Sequence, residues 1–266
     1  MAEVWINGDF VPESEASIPI SDRGFQVGHG VFETFLALAG KPVFLQEHLA
    51  RLAKACAMAQ LDPPASEVLA NAVDGVLASH SSTRLRVRIQ VTPQTTLVSA
   101  ASAPEPEGML DVVTVPWPRN ERAALAGVKA VSYAENILAL DYARRHGARE
   151  ALFGNTQGNL CEGATTNVFA VFEGSLWTPP VESGCLPGVM RAAVLRIAGD
   201  RGIDVQIEDI PMKYLSDRAE EMFLTSSLRI VQPVARIDGK AVDHAPGRMA
   251  LVFSEASRVQ ISAEIS

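Results

Sequence analysis

Lys129 lies between Val128 and Ala130, just ahead of a helical stretch. A lysine in such a place is ordinarily a solvated charge. In an apolar or cationic surrounding its amine gives up its proton more easily and can attack a carbonyl carbon. Glu162 closes a strand in Asn159-Leu160-Cys161-Glu162-Gly163. It is either a turn carboxylate or a buried acid able to keep a ring nitrogen protonated. Gly184-Cys185-Leu186-Pro187-Gly188-Val189-Met190-Arg191 reads as a loop running into a helix. Backbone N–H groups at Val189 and Met190 would then be offered to an anion, helped by the helix dipole. Arg51 shares a helix with His48, three residues earlier. A helical arginine is usually solvated, but its fork of donors also suits phosphate oxygens, with His48 as a supporting hydrogen-bond partner.

Other chemistries are harder to read. No serine–histidine–acid order is recognisable, and the five histidines form no metal-ligand spacing. The run from Gly24 to Gly30 is superficially dinucleotide-like. It precedes a strand rather than a helix and so lacks the needed context.

The elements that would position these residues follow from local pattern. Val4-Trp5-Ile6 and Phe10-Val11 flank an Asn7-Gly8 turn, a hairpin signal. Val31–Leu38 reads as a strand closed by Ala39-Gly40, with Val43-Phe44 continuing after the turn. Leu45, Leu49, Leu52 and Cys56 repeat at helical spacing, so a helix is expected over about 46–60. A second helix is expected over 66–78, with Ser66 as its N-cap. From Arg84 to Thr92, Arg84, Arg86 and Arg88 alternate with Leu85, Val87 and Ile89, which places three cations on one face of a strand. Leu110–Val115 is a strand leading into Pro116-Trp117-Pro118-Arg119-Asn120, read as the junction between domains. A helix over about 133–146, four short strands between 151 and 178, a helix from Pro187-Gly188 to about Gly199, and strands at 221–225 and 231–237 complete the reading. The fold class is α/β (α+β), with largely antiparallel sheets. The expected division is a smaller N-terminal domain at 1–118, a linker at 119–127 and a larger C-terminal domain at 128–266.

Composition narrows the function classes. At 266 residues with 47% apolar content, the chain can bury a sizeable core. A net charge of −8 argues against nucleic acid as a partner and leaves small anions only where cations are concentrated. Three cysteines without metal-like spacing suggest a reducing compartment. The N-terminus lacks a secretory pattern, and no apolar run reaches the roughly 18 residues of a membrane span. A cytoplasmic protein without membrane or metal partners is the expectation.

Taken in order, the motifs resemble the class IV aminotransferases, the fold-type IV pyridoxal-phosphate (PLP) enzymes. The resemblance covers nearly the whole chain. It is carried by Ser21-Asp22-Arg23-Gly24-Phe25 through Gly28-His29-Gly30-Val31-Phe32-Glu33-Thr34, by Glu47-His48-Leu49 with Arg51-Leu52, and by Lys129 ahead of Tyr133-Ala134-Glu135-Asn136. Glu162-Gly163 with Thr165-Thr166-Asn167-Val168-Phe169 follows. Leu186-Pro187-Gly188-Val189-Met190-Arg191, then Phe223-Leu224-Thr225-Ser226-Ser227, complete it.

The resemblance implies a two-domain enzyme with PLP between the domains, held by the C-terminal one, in a homodimer. Lys129 would form the Schiff base and move the substrate proton. Glu162 would pair with the pyridinium nitrogen. Arg51, Val189, Met190 and Ser227 would hold the phosphate, and Tyr133 would lie beside the ring hydroxyl. Phe32, Arg88 and Leu228 would face the substrate, with Arg88 on a carboxylate.

The implied reaction is transamination between a small amino acid and a 2-oxo acid. Pro93 stands where many D-amino-acid members carry an arginine, which counts against D-specificity. Thr166 and Met190 depart from the branched-chain pattern. Met190 and Ser227-Leu228 are closer to 4-amino-4-deoxychorismate lyase, which eliminates pyruvate with the same lysine, and this is the alternative. A PLP-free binding protein on the same scaffold is the remote alternative, against which Lys129 and Glu162 both weigh.

Overall fold

The computed structural model describes residues 2–266, and the chain falls into two compact units. The first runs to Glu105 and adds Val128–Tyr133 and Ile261–Ser266; the second comprises Pro106–Gly127 and Ala134–Gln260.

In the first unit, β1 (Glu3–Ile6) and β2 (Asp9–Pro12) form the expected hairpin. Its turn has positive φ at Asn7 (50°) and Gly8 (112°), the geometry that favours this residue pair. A short helix, α1 (Arg23–Val27), is capped by Asp22, which accepts the Gly24 N–H. It occupies the glycine-rich run that was expected only to precede a strand. There follow β3 (Val31–Leu38), β4 (Lys41–Pro42), α2 (Leu45–Met58), α3 (Ser66–Ala78), β5 (Arg84–Val91) and β6 (Thr96–Ser102). Two local expectations are corrected. Phe44 is not in a strand: its φ of 55° turns the chain into α2. Ser66 lies inside the first turn of α3, and Ala65 takes the N-cap without a side-chain bond.

The six strands form one antiparallel sheet in the order β2-β1-β6-β5-β3-β4. Leu85, Val87, Ile89 and Val91 of β5 are buried with Val31, Phe35 and Ala37 of β3, in a core shared with Leu49, Leu52, Cys56, Val73 and Val76 of the helices. Period two then puts Arg84, Arg86, Arg88 and Gln90 on the opposite face.

The second unit contains β7 (Leu110–Thr114), α4 (Ala134–Arg145), β8 (Glu150–Gly154), β9 (Leu160–Gly163), β10 (Asn167–Phe172), β11 (Ser175–Thr178), α5 (Val189–Asp200), β12 (Val205–Ile207), α6 (Lys213–Arg218), β13 (Glu221–Ser226), β14 (Ile230–Ile237), β15 (Lys240–Ala241) and α7 (Arg248–Glu264). The last residues of α7 belong to the first unit. Its nine strands run β12-β11-β10-β13-β14-β7-β8-β9, with β15 on β14. The pairs β11/β12, β14/β7 and β7/β8 are parallel, and the others are antiparallel.

The units divide at 105/106, ahead of the junction read at 119–127. Pairing decides this: β7 lies between β14 and β8, so the chain before that junction is part of the second sheet. Residues 128–133 run beside β3 instead and so belong to the first unit. No helix among the described residues is long and apolar enough to cross a membrane, and none of their His, Cys, Asp and Glu side chains cluster to hold a metal ion. All three cysteines are free and buried.

Candidate active site

Lys129 is positioned by an edge of the first sheet. Phe32 N donates to Lys129 O at 2.9 Å, Val31 bridges Ala130, and Val131 N donates to Gly30 O at 2.8 Å. Gly30 is required at this crossing, because a Cβ would come within 2.8 Å of Val91 O. The lysine side chain lies against aromatic rings, with Nζ 4.6 Å from the Phe32 centroid and 5.2 Å from that of Tyr133. The two rings meet edge to face at 5.3 Å. Arg88 reaches the same phenylalanine from β5, with Cζ 3.9 Å from its centroid. Nε and Nη2 of Arg88 both donate to Gln90 Oε1, at 3.2 and 2.7 Å. Burial lowers the pKa of Arg88, as does the neighbouring charge of Arg86.

Arg51 projects from α2 towards β3. Its Nε and Nη2 donate to the two oxygens of Glu33 at 2.7 Å each, and His48 Nδ1 donates to Glu33 Oε2 at 2.7 Å. Glu33 is 1% exposed and His48 fully buried. Burial pushes the Glu33 carboxyl up, but the Arg51 charge and the bonds from Arg51 and His48 outweigh it and hold it at about 2. His48 moves down, chiefly through burial, with the charges of Arg51 and Lys129 acting in the same direction. The acid is therefore ionised and the imidazole neutral, with Arg51 as the counter-charge.

A second group of residues forms in the second unit around Glu162 of β9, which is 7% exposed. Its Oε2 accepts Leu186 N at 2.8 Å, and its Oε1 accepts Arg119 Nη1 at 3.3 Å. The bond to Leu186 ties the carboxylate to the loop that starts α5. Asn167 Nδ2 donates to Leu186 O at 2.8 Å, and Asn167 pairs with Thr225 across β10 and β13. Gly188 is the N-cap of α5, with no side-chain cap, so the first-turn N–H groups of Val189 and Met190 have no partner within the helix. A Cβ at Gly188 would overlap Asn167 Oδ1. Ser227 and Leu228 lie half-buried in the turn joining β13 to β14. Cys161 and Cys185 flank this region as inert thiols. Burial first, then the Glu162 charge, raises both, Cys185 to about 11.

The first unit thus gathers Phe32, Arg51, Arg88, Lys129 and Tyr133. The second gathers Glu162, Val189 and Met190, with Ser227 and Leu228 at the end of the strand beside Asn167. Three further residues belong to these groups without standing among the sequence-predicted site residues: Glu33, Gln90 and Arg119. Glu33 carried a usable signal, since it shares the apolar face of β3 with Val31 and Phe35. Gln90 extends the arginine row on β5. Arg119 carried none.

The profile of the class IV amino-transferase family matches residues 30–237. A D-alanine aminotransferase of Staphylococcus haemolyticus is 29% identical over 262 residues, covering 91% of each chain. The branched-chain aminotransferase of Thermoproteus uzoniensis, solved with norvaline, superposes with a TM-score of 0.90 at 27% identity, over 98% of this chain and 95% of that one. The branched-chain amino acid aminotransferase of T.th., solved with pyridoxamine 5'-phosphate, gives 0.90 at 26% identity, over 98% and 94%. These relatives are aminotransferases by name, and the lyase alternative gains nothing from them. The motifs read along the sequence, the two sheets and the family profile agree: this chain belongs to the class IV aminotransferases.

Proposed function

We propose that the chain is a PLP-dependent aminotransferase exchanging an amino group between a small amino acid and a 2-oxo acid, with Lys129 carrying the cofactor. The placement of Lys129 supports this most. Its backbone is fixed along β3 while its amine rests against Phe32 and Tyr133, in a setting that also contains the Arg88 cation. The donor chemistry fits the cofactor. An uncapped helix start behind Gly188 suits a phosphate. A buried, acceptor-only carboxylate at Glu162 suits a protonated ring nitrogen.

When bound, PLP supplies the electron sink for charge left on the amino acid's α-carbon. Lys129 Nζ takes the proton from that carbon and returns it, a transfer that is fast because the amine is already in place. Glu162 would accept the ring N–H. The Arg51 guanidinium, the N–H groups of Val189 and Met190 and the Ser227 hydroxyl would hold the phosphate. The Tyr133 phenol would stand beside the ring hydroxyl. Phe32 and Leu228 line the substrate side, and Arg88 meets the substrate carboxylate. The protein works as a homodimer in the cytoplasm.

The test is a panel of L- and D-amino acids, 2-oxo acids and aminodeoxychorismate offered to the purified holoenzyme. An amino acid alone should discharge the visible absorbance and release its 2-oxo acid, and a second 2-oxo acid should restore the band. Pyruvate and 4-aminobenzoate from aminodeoxychorismate without added 2-oxo acid, and no response to any amino acid, would replace transamination by the lyase reaction.

A further inference from the structure

Arg119 lies in the proline-rich passage before Lys129, and its backbone is tied to the end of β8. Its N–H donates to Gly154 O at 2.8 Å, and it bridges Asn155. The guanidinium stacks with Cζ 4.2 Å from the centroid of Phe153, the residue opposite Glu162 in the β8/β9 register. Nη1 donates to Glu162 Oε1 at 3.3 Å, and Nε lies 3.5 Å from Glu135 Oε2 without forming a hydrogen bond. Nε and Nη2 are buried and have no hydrogen-bond partner among the described residues. A guanidinium that serves only the fold normally has its buried donors filled, since an unfilled one is costly. Here a cation is kept beside a carboxylate although its hydrogen bonding is incomplete.

We infer that Arg119 is a positioning residue that sets the charge of Glu162, holding it as a carboxylate so that the proton it shares with the cofactor stays on the ring nitrogen. The inference rests on the role given to Glu162 above. An opposite charge in close contact favours the ionised form of a carboxylate. Packing against Phe153 limits solvent screening of that contact. The other carboxylate oxygen is held independently by the Leu186 N–H at 2.8 Å. Loss of the cation therefore changes the charge at Glu162 and leaves its position.

The experiment compares holoenzymes carrying Arg119→Met and Arg119→Lys, loaded with PLP labelled with nitrogen-15 in the ring. Arg119→Met should fold and keep its visible absorbance. Its ring-nitrogen resonance should move towards that of an unprotonated pyridine at neutral pH, and turnover should fall about tenfold, the equivalent of one pKa unit. Arg119→Lys should return most of both. A methionine variant with the wild-type resonance and turnover overturns the inference. If that variant does not fold, Arg119→Gln takes its place, keeping a donor to Glu162 without the charge; a wild-type resonance there overturns it equally. Glu162→Gln separates the two levels. Normal turnover and resonance in Glu162→Gln remove the role of Glu162 itself. A slow Glu162→Gln beside an unaffected Arg119→Met removes only that of Arg119.

Discussion

Glu33 grips Arg51 along two donors of one guanidinium, Nε and Nη2, at 2.7 Å each. The acid comes from the apolar face of β3 and the base from α2, and His48 closes the third side. Removing the acid leaves a largely buried cation and an imidazole without their anion. Glu33→Ala should destabilise the protein by about 3–5 kcal/mol, a drop in Tm on the order of 10 °C for a chain of this size. A Tm equal to that of the wild type would show that Arg51 finds its counter-charge elsewhere.

The same pair predicts a pH dependence. The folded-state pKa of Glu33 is depressed from 4.5 to about 2. Its contribution is therefore complete above the ordinary value and is lost as pH falls through the depressed one. The Tm difference between wild type and Glu33→Ala should be constant from neutral pH to about 5 and shrink steadily below that. Thermal melts across that range check it, and a difference that grows in acid contradicts the assignment.

Lys129→Ala should fold, because the strand-edge bonds of residue 129 are made by its backbone. It should lose the visible cofactor absorbance, and its turnover should fall by about 10²–10⁴-fold or more, the range for removing a proton-transfer group. Spectra and steady-state rates on the same preparation decide the matter. Retention of both the band and the rate would remove Lys129 from the chemistry.

Gly188→Ala places a methyl group against Asn167 Oδ1 and should break the Asn167–Leu186 bond. The expected cost is about 1–3 kcal/mol, with weaker PLP binding because the start of α5 shifts. Asn167→Ala makes room, so the double variant should lose less than the two single losses combined. Equilibrium unfolding and PLP titration measure both. Strict additivity would mean that the two residues do not share the contact.

Arg88→Gln should leave the cofactor spectrum intact and raise KM for carboxylate substrates about tenfold or more, as expected for losing a charged hydrogen bond. Gln90→Ala, which frees the guanidinium held by Gln90 Oε1, should give a smaller rise in KM. Kinetics with one amino donor and varied 2-oxo acid suffice, and an unchanged KM in Arg88→Gln would exclude the contact.

Much of the architecture is legible locally. Asn7-Gly8 forms its hairpin, the alternation from Arg84 becomes β5, and Pro187-Gly188 starts α5. The elements not legible in the sequence are those whose pattern is weak or whose support is remote. β6 has only Leu97 and Val98 as larger apolar residues among small and polar ones, and it becomes a strand because β5 pairs with it from Leu85 to Val91. The 17-residue α7 buries Ala250, Phe253, Ala256 and Ile261, but the exposed Leu251 and Val259 blur this stripe in the sequence, and the Glu221 carboxylate receives the helix's first N–H groups at Met249 and Ala250.

The sequence alone determined the elements with strong local patterns, the family and the candidates on which PLP chemistry would depend, because these follow from neighbours a few positions apart and from the order of motifs. Tertiary structure alone decided which charges are buried together. Glu33 meets Arg51 because α2 packs on the inner face of β3, and Glu162 meets Arg119 because β9 pairs with β8 and the proline-rich passage ends against β8. Burial and charge pairing depend on which strand lands beside which. Packing of the whole chain fixes that, and no local spacing encodes it.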